Sequence, residues 1–211
     1  LPVITLQPAI QSALVGATSS CTVVAASPTP LAYPWQKNGV DVVGATSSSY
    51  TTPAVIVADS GSSFRCRVTN AAGSVNSAGV LLRVFTPPAI TTQPAGVTVP
   101  VGGTATFTVA ASGTPPLTYQ WQKNTTDIAG ATSAGYTTPA VVMGDSGAQF
   151  RCVVTNPYGT ATSSAAILSV SQVSIVNIIR NPGFESSTTS WSFFTDGAGT
   201  VAAVSPGAVG S

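Results

Sequence analysis

The chain has 211 residues, enough for one large domain or two small ones that each bury a core. Only 6% of its residues are charged, and seven basic against six acidic side chains leave a formal charge of +1. That balance supplies no basic stripe for nucleic acid and no polybasic patch for an anionic lipid surface, and no apolar run approaches the roughly 20 residues that cross a bilayer. With so few charges, the surface must be built from Ser, Thr, Asn, Gln and Gly, which points to an extracellular or cell-surface protein.

A repeat governs everything that follows. Displaced by 86 positions, residues 2–84 align with 88–170 without a gap, and about half of the pairs are identical. "YPWQKNGVDVVGATSSSYTTPAVIVADSGSSFRCRVTN" at 33–70 faces "YQWQKNTTDIAGATSAGYTTPAVVMGDSGAQFRCVVTN" at 119–156. A period this long suits a small sandwich with its own core rather than a solenoid turn. The reading is therefore one domain over residues 1–85, a second over 86–171, and a different segment over 172–211.

In chain order, the first copy offers "TSSCTVVAA", "LAYPWQKN", "SSFRCRVTN" and "SVNSAGVLLRV" as short strands with period-two alternation. "GATS", "DSG" and "NAAG" punctuate them as turns, with "NPYG" at the last of these positions in the second copy. No stretch has helical spacing, so each copy is expected to be an antiparallel all-β sandwich. Pro53 and Pro139 place their strand at an edge or at a break. Between the copies, "RVFTPPAITTQP" reads as a stiff proline-bearing joint. "GVTVPVGGT" leads into a strand rather than a helix and so cannot cradle phosphate.

Cys21, Trp35 and Cys66 are spaced by 14 and 31 positions, with "DSGSSF" before the second cysteine, and this pattern resembles the Cys, Trp, Cys core of immunoglobulin-like domains. "PPLTYQWQKN" and "GATSAGYTTPAV" look most like the tandem immunoglobulin-like repeats of large secreted bacterial proteins. The resemblance implies a disulfide between Cys21 and Cys66 in the first copy. It also implies core positions for Trp35 and Trp121. Two departures accompany it: Phe64 and Phe150 stand where the family has its corner tyrosine, and Phe107 replaces the first cysteine in the second copy. The corner formed by the "DSG" stretch before each Phe must then be held by packing. Cys152 is left as a buried thiol against Phe107 and Trp121.

The inventory of reactive groups is sparse. Without histidine there is no Ser-His-Asp or Cys-His machinery, and three cysteines committed to the fold build no zinc site. Paired-carboxylate hydrolysis needs two acids about 5 to 9.5 Å apart beside a cleft. Asp59 and Asp145 instead read as turn acceptors in separate copies, as do Asp41 and Asp127 before "GATS". Tyr158, on the hairpin between the last two strands, is a candidate sugar-facing ring, and Asn124 in "NTT" has glycosylation spacing.

After Val170 the alternation starts afresh, with "VNIIRN", "TSWSFF" and "TVAAVS" as three strands. "NPGFES" followed by Trp191 resembles the entry of jelly-roll carbohydrate-binding modules of the family 4, 9 and 22 type. By that resemblance Glu185 belongs to a structural calcium site whose other ligands are missing, and Trp191 is a core residue or a carbohydrate candidate. No other cofactor is implied. Three strands cannot enclose a core, so this segment is expected either to be cut from a larger module or to be completed by a neighbouring subunit through strand addition. Two functions follow. The first is a non-catalytic accessory region of a secreted bacterial carbohydrate-active protein, with polysaccharide as partner of the complete jelly roll and any glycoside hydrolase or lyase domain elsewhere. The second is an adhesin stalk or surface-fibre subunit.

Overall fold

The computed structural model describes residues 1–9 and 11–172. Twenty strands and two single 3-10 turns make up this region. The first copy carries β1 (Val3–Leu6), β2 (Gln11–Leu14), β3 (Ser20–Thr22), β4 (Val24–Ala26), β5 (Trp35–Lys37), β6 (Val40–Asp41), β7 (Ser49–Thr51), β8 (Ser63–Asn70), β9 (Gly73–Asn76) and β10 (Val80–Phe85). The second repeats them as β11 (Ala89–Thr92), β12 (Val97–Pro100), β13 (Thr106–Thr108), β14 (Ala110–Ser112), β15 (Thr118–Lys123), β16 (Thr126–Asp127), β17 (Gly135–Thr137), β18 (Gln149–Asn156), β19 (Gly159–Thr162) and β20 (Ala166–Ser171). The all-β expectation holds.

Each copy has a main sheet, ordered β2-β10-β8-β5-β6 with β9 also on β8, and an opposing layer made of the pairs β1-β4 and β3-β7. The second copy repeats this order as β12-β20-β18-β15-β16, with β11-β14 and β13-β17 opposite. The N-terminal segment splits between the layers: β1 lies antiparallel to β4, whereas β2 runs parallel to β10. Gln7 stabilises that crossing by accepting the Ala78 amide at 2.8 Å, and Gln93 accepts the Ser164 amide at the same distance.

Alternation fills the space between the layers. In β8, Phe64, Cys66 and Val68 point inward; in β10, Val80, Leu82 and Val84 do the same. Burying an aliphatic or aromatic side chain of this size contributes about 1.5–3 kcal/mol. Each copy therefore has its own core, one around Trp35 and one around Trp121.

Three local departures from the sequence reading have physical causes. β5 starts only at Trp35 while β15 starts three residues earlier, because Pro34 has no N–H to give the ladder where Gln120 does. "SVNSAGVLLRV" is two strands rather than one: between β9 and β10 Ser77 turns inward, and its hydroxyl accepts the Cys66 amide at 2.9 Å. Each "DSG" corner carries a 3-10 turn, Val57–Asp59 or Met143–Asp145. β7 and β17 end before Pro53 and Pro139, as the prolines predict.

Candidate functional site

The indoles are core pins. Trp35 and Trp121 are both fully buried, and each ring N–H donates to a backbone carbonyl, Ser47 at 2.8 Å and Ser133 at 3.0 Å. Neither presents a face to a sugar. In the first core Tyr50 lies 6.1 Å from Trp35 and 5.8 Å from Phe64. The second core adds Phe107, whose ring stacks on Phe150 at 4.5 Å and tilts toward Trp121 at 6.2 Å. Phe107 sits opposite Tyr136 in the register that places Cys21 opposite Tyr50, so the extra ring fills the cysteine position.

All three cysteines are buried free thiols in this structure, so the expected Cys21–Cys66 disulfide is not formed in it. Burial pushes the Cys66 thiol up to about 11 and raises those of Cys21 and Cys152, so none is a ready nucleophile at neutral pH. Cys152 stands opposite Trp121 on the neighbouring strand.

The corner at each 3-10 turn, Val57–Asp59 and Met143–Asp145, is held by more than packing. The Asp59 carboxylate accepts the Ile56 amide at 2.9 Å and the Lys37 ammonium at 2.6 Å, and Asp145 accepts Val142 and Lys123 at 2.9 and 2.7 Å. Lys37 also lies over the Phe64 ring, 5.9 Å from its centroid. The Ile56 amide and then Lys37 lower the Asp59 pKa; for Asp145 the order is Lys123 and then the Val142 amide. A lowered carboxylate pKa adds stability above the ordinary carboxylate range and loses it as pH falls through the folded value. Unfolding free energy measured from pH 7 downward should therefore stay level until about pH 4 and then decline. The decline should be shallower in a Lys37→Met, Lys123→Met double variant. An equal acid slope in that variant would show that the ammonium groups do not set the lowered values.

Asp41 and Asp127 serve the outer face of the main sheet. Arg65 donates to Gln36 and Gln36 to Asp41, both at 2.7 Å; Arg151, Gln122 and Asp127 repeat the ladder at the same distances. These acids are structural acceptors held on separate strands of separate copies. Beside each Lys–Asp pair is a cleft, about 90 Å³ near Lys37, Tyr50, Pro53 and Asp59, and about 130 Å³ near Lys123, Tyr136, Pro139 and Asp145. Both fall well below the roughly 300 Å³ at which small-molecule sites begin.

Tyr158 does not offer a free ring: it is half-buried and stacked on Phe85, with centroids 4.4 Å apart. Sequence reading missed this because the partner lies in the other copy. Asn124 is exposed, but its side-chain carbonyl accepts the Gln149 amide at 2.9 Å, a local turn contact. Among the described residues, no three His, Cys, Asp or Glu side chains cluster as metal ligands, and no helix is long and apolar enough to cross a membrane. Glu185, Trp191 and the strand-addition reading fall outside the described residues.

The family model described as "Immunoglobulin domain" matches residues 87–156. An I-band fragment of titin superposes with a TM-score of 0.62 at 20% identity, covering 81% of this chain and 66% of the fragment. The first four immunoglobulin domains of Sidekick-1 give 0.62 at 22% identity, covering 81% of this chain and 48% of theirs. The two copies are tandem immunoglobulin-like domains. Among curated proteins, Endoglucanase C of Cellulomonas fimi is 36% identical over 179 residues, and Kin of IRRE-like protein 3 of Homo sapiens is 29% identical over 152. These alignments take in 80% and 72% of this chain but only 16% and 19% of the relatives' lengths. The chain therefore spans less than a fifth of the length of either relative. The parallel β2–β10 pairing and the buried Trp35 and Trp121 are the features through which these immunoglobulin-like domains close their layers.

Proposed function

We propose that the tandem immunoglobulin-like domains are a non-catalytic spacer of a secreted bacterial carbohydrate-active protein, and that residues 172–211 open a sugar-binding jelly roll which the spacer presents. The observation that carries this reading is where the rings and acids of residues 1–172 are spent. Both indoles are inside the cores, Tyr158 is stacked on Phe85, and all four aspartates accept structural hydrogen bonds. Among the described residues, no indole face is exposed and no aspartate is without a structural hydrogen bond. The likeness to Endoglucanase C supports the carbohydrate context, since it spans most of this chain and a minor share of a protein named as a glucan-cleaving enzyme. The polar, charge-poor surface suits an extracellular setting. Affinity electrophoresis through gels containing soluble β-glucans tests the reading. Residues 1–172 should migrate as they do in gels without polysaccharide, and any recognition should depend on residues 173–211.

A further inference from the structure

The two sandwiches are joined by three residues, Thr86, Pro87 and Pro88, and the backbone of Thr86 is bonded on both sides. Its amide donates to the Thr114 hydroxyl at 2.8 Å, and its carbonyl accepts the Thr114 amide at 3.1 Å. The same carbonyl also accepts the side-chain amide of Asn156 at 2.9 Å. Asn156 is 7% exposed; it donates as well to the Thr114 carbonyl at 2.8 Å and accepts the Tyr158 amide at 2.9 Å. Phe85, the last residue of β10, stacks on Tyr158 with ring planes 12° apart. At Gly113, φ is +146°, and a Cβ would stand 3.1 Å from the Pro87 carbonyl oxygen and from the Pro88 Cα. The linker backbone runs where a side chain would otherwise be.

The repeat supplies the comparison that makes this more than a contact. Shifting by 86 positions, Gly113 corresponds to Ser27, Thr114 to Pro28, Tyr158 to Ala72 and Phe85 to Ser171. Ser27 would put a Cβ into the linker, Pro28 has no N–H to donate, and neither Ala72 nor Ser171 has a ring. Asn70, the counterpart of Asn156, donates to the Ser27 hydroxyl at 2.8 Å instead. The two copies therefore diverge at four positions that all meet at the single place where the first sandwich joins the second.

Relative motion is the default for domains that share a small interface. Here the rotatable linker bonds are few, prolines fix two φ angles, and a buried amide and a ring stack anchor the segment before them. We infer that Phe85, Thr86, Gly113, Thr114, Asn156 and Tyr158 form a locking joint that makes the two immunoglobulin-like domains one rigid body in a fixed order. The joint stands on these contacts whether or not the pair serves as a spacer for a sugar-binding module.

Residual dipolar couplings of the full chain in a weakly aligning medium read this out directly. In the unmodified protein, one alignment tensor is expected to fit the amides of 3–85 and 89–171 together. Phe85→Ser and Tyr158→Ala each install the residue the other copy already carries, and each is expected to split the fit into two tensors of different magnitude while the spectrum keeps its folded dispersion. Gly113→Ser, also borrowed from the repeat, should do the same by driving a side chain into Pro87. Two different tensors in the unmodified chain would overturn the joint. So would a single tensor that survives all three substitutions.

Discussion

Trp121→Ala is expected to remove about 3–5 kcal/mol from the second immunoglobulin-like domain, a large share of the roughly 5–15 kcal/mol that holds a domain of this size folded. The ring is fully buried among Phe107, Tyr136 and Cys152, so its loss leaves a cavity that fixed strands on both layers cannot collapse to fill. It also strands the Ser133 carbonyl, which accepts the indole N–H at 3.0 Å. Urea unfolding followed by far-ultraviolet circular dichroism for the whole chain, with fluorescence of a Trp121→Ala, Trp191→Phe variant reporting the first core through Trp35, would check this. The second domain should unfold at much lower urea while the Trp35 transition stays nearly in place. A loss below about 1 kcal/mol would mean that the indole is not the pin on which the layers close.

Oxidative folding is expected to join Cys21 to Cys66 and to stabilise the first domain by up to about 4 kcal/mol, the chain-entropy value for a loop of this length before any strain is subtracted. We propose this bond on position: Cys21 is on β3 in one layer, Cys66 on β8 in the other, and both belong to the core around Trp35. An oxidant must accept the two electrons, and the two thiol protons leave. Since burial pushes Cys66 up to about 11, attack by its thiolate is slow once the core has formed, and the bond is expected to close during folding rather than after it. The second domain gains nothing under the same conditions, because Phe107 occupies the position of the first cysteine. Unfolding in alkylating reagent after oxidative refolding should label Cys152 alone, with the mass of two hydrogens missing, and only the first transition should move to higher denaturant. Labelling of all three cysteines would contradict the bond.

How far the sequence could be read depended on how far apart the cooperating residues lie. Period-two runs such as "SFRCRVTN" declare their inward side chains locally, so Phe64, Cys66 and Val68 could be placed inside without coordinates. The inward Trp followed by "QKN" was equally plain. What stayed hidden joins residues with no local signature. Lys37 and Asp59 are 22 positions apart, and nothing in "QKN" or "ADSG" says that one answers the other. The corner was therefore expected to rest on packing alone. The Tyr158 hairpin taken alone predicts an exposed ring, whereas its stacking partner ends the last strand of the other copy. The repeat does carry a signal for it: Phe85 and Tyr158 both break the pattern at the ends of their copies, and paired breaks in a duplicated sequence point to a contact the duplication itself does not require.

On the proposed reading, residues 1–172 position something else and recognise no glycan themselves. Affinity electrophoresis tests it most directly, with the full chain and a chain ending at residue 172 run side by side through β-glucan gels. Unretarded migration of the shorter chain is expected in every gel, with retardation of the full chain that is weak or absent and vanishes with residues 173–211. Retardation of the shorter chain as strong as that of the full one, and abolished by Tyr158→Ala, would contradict it.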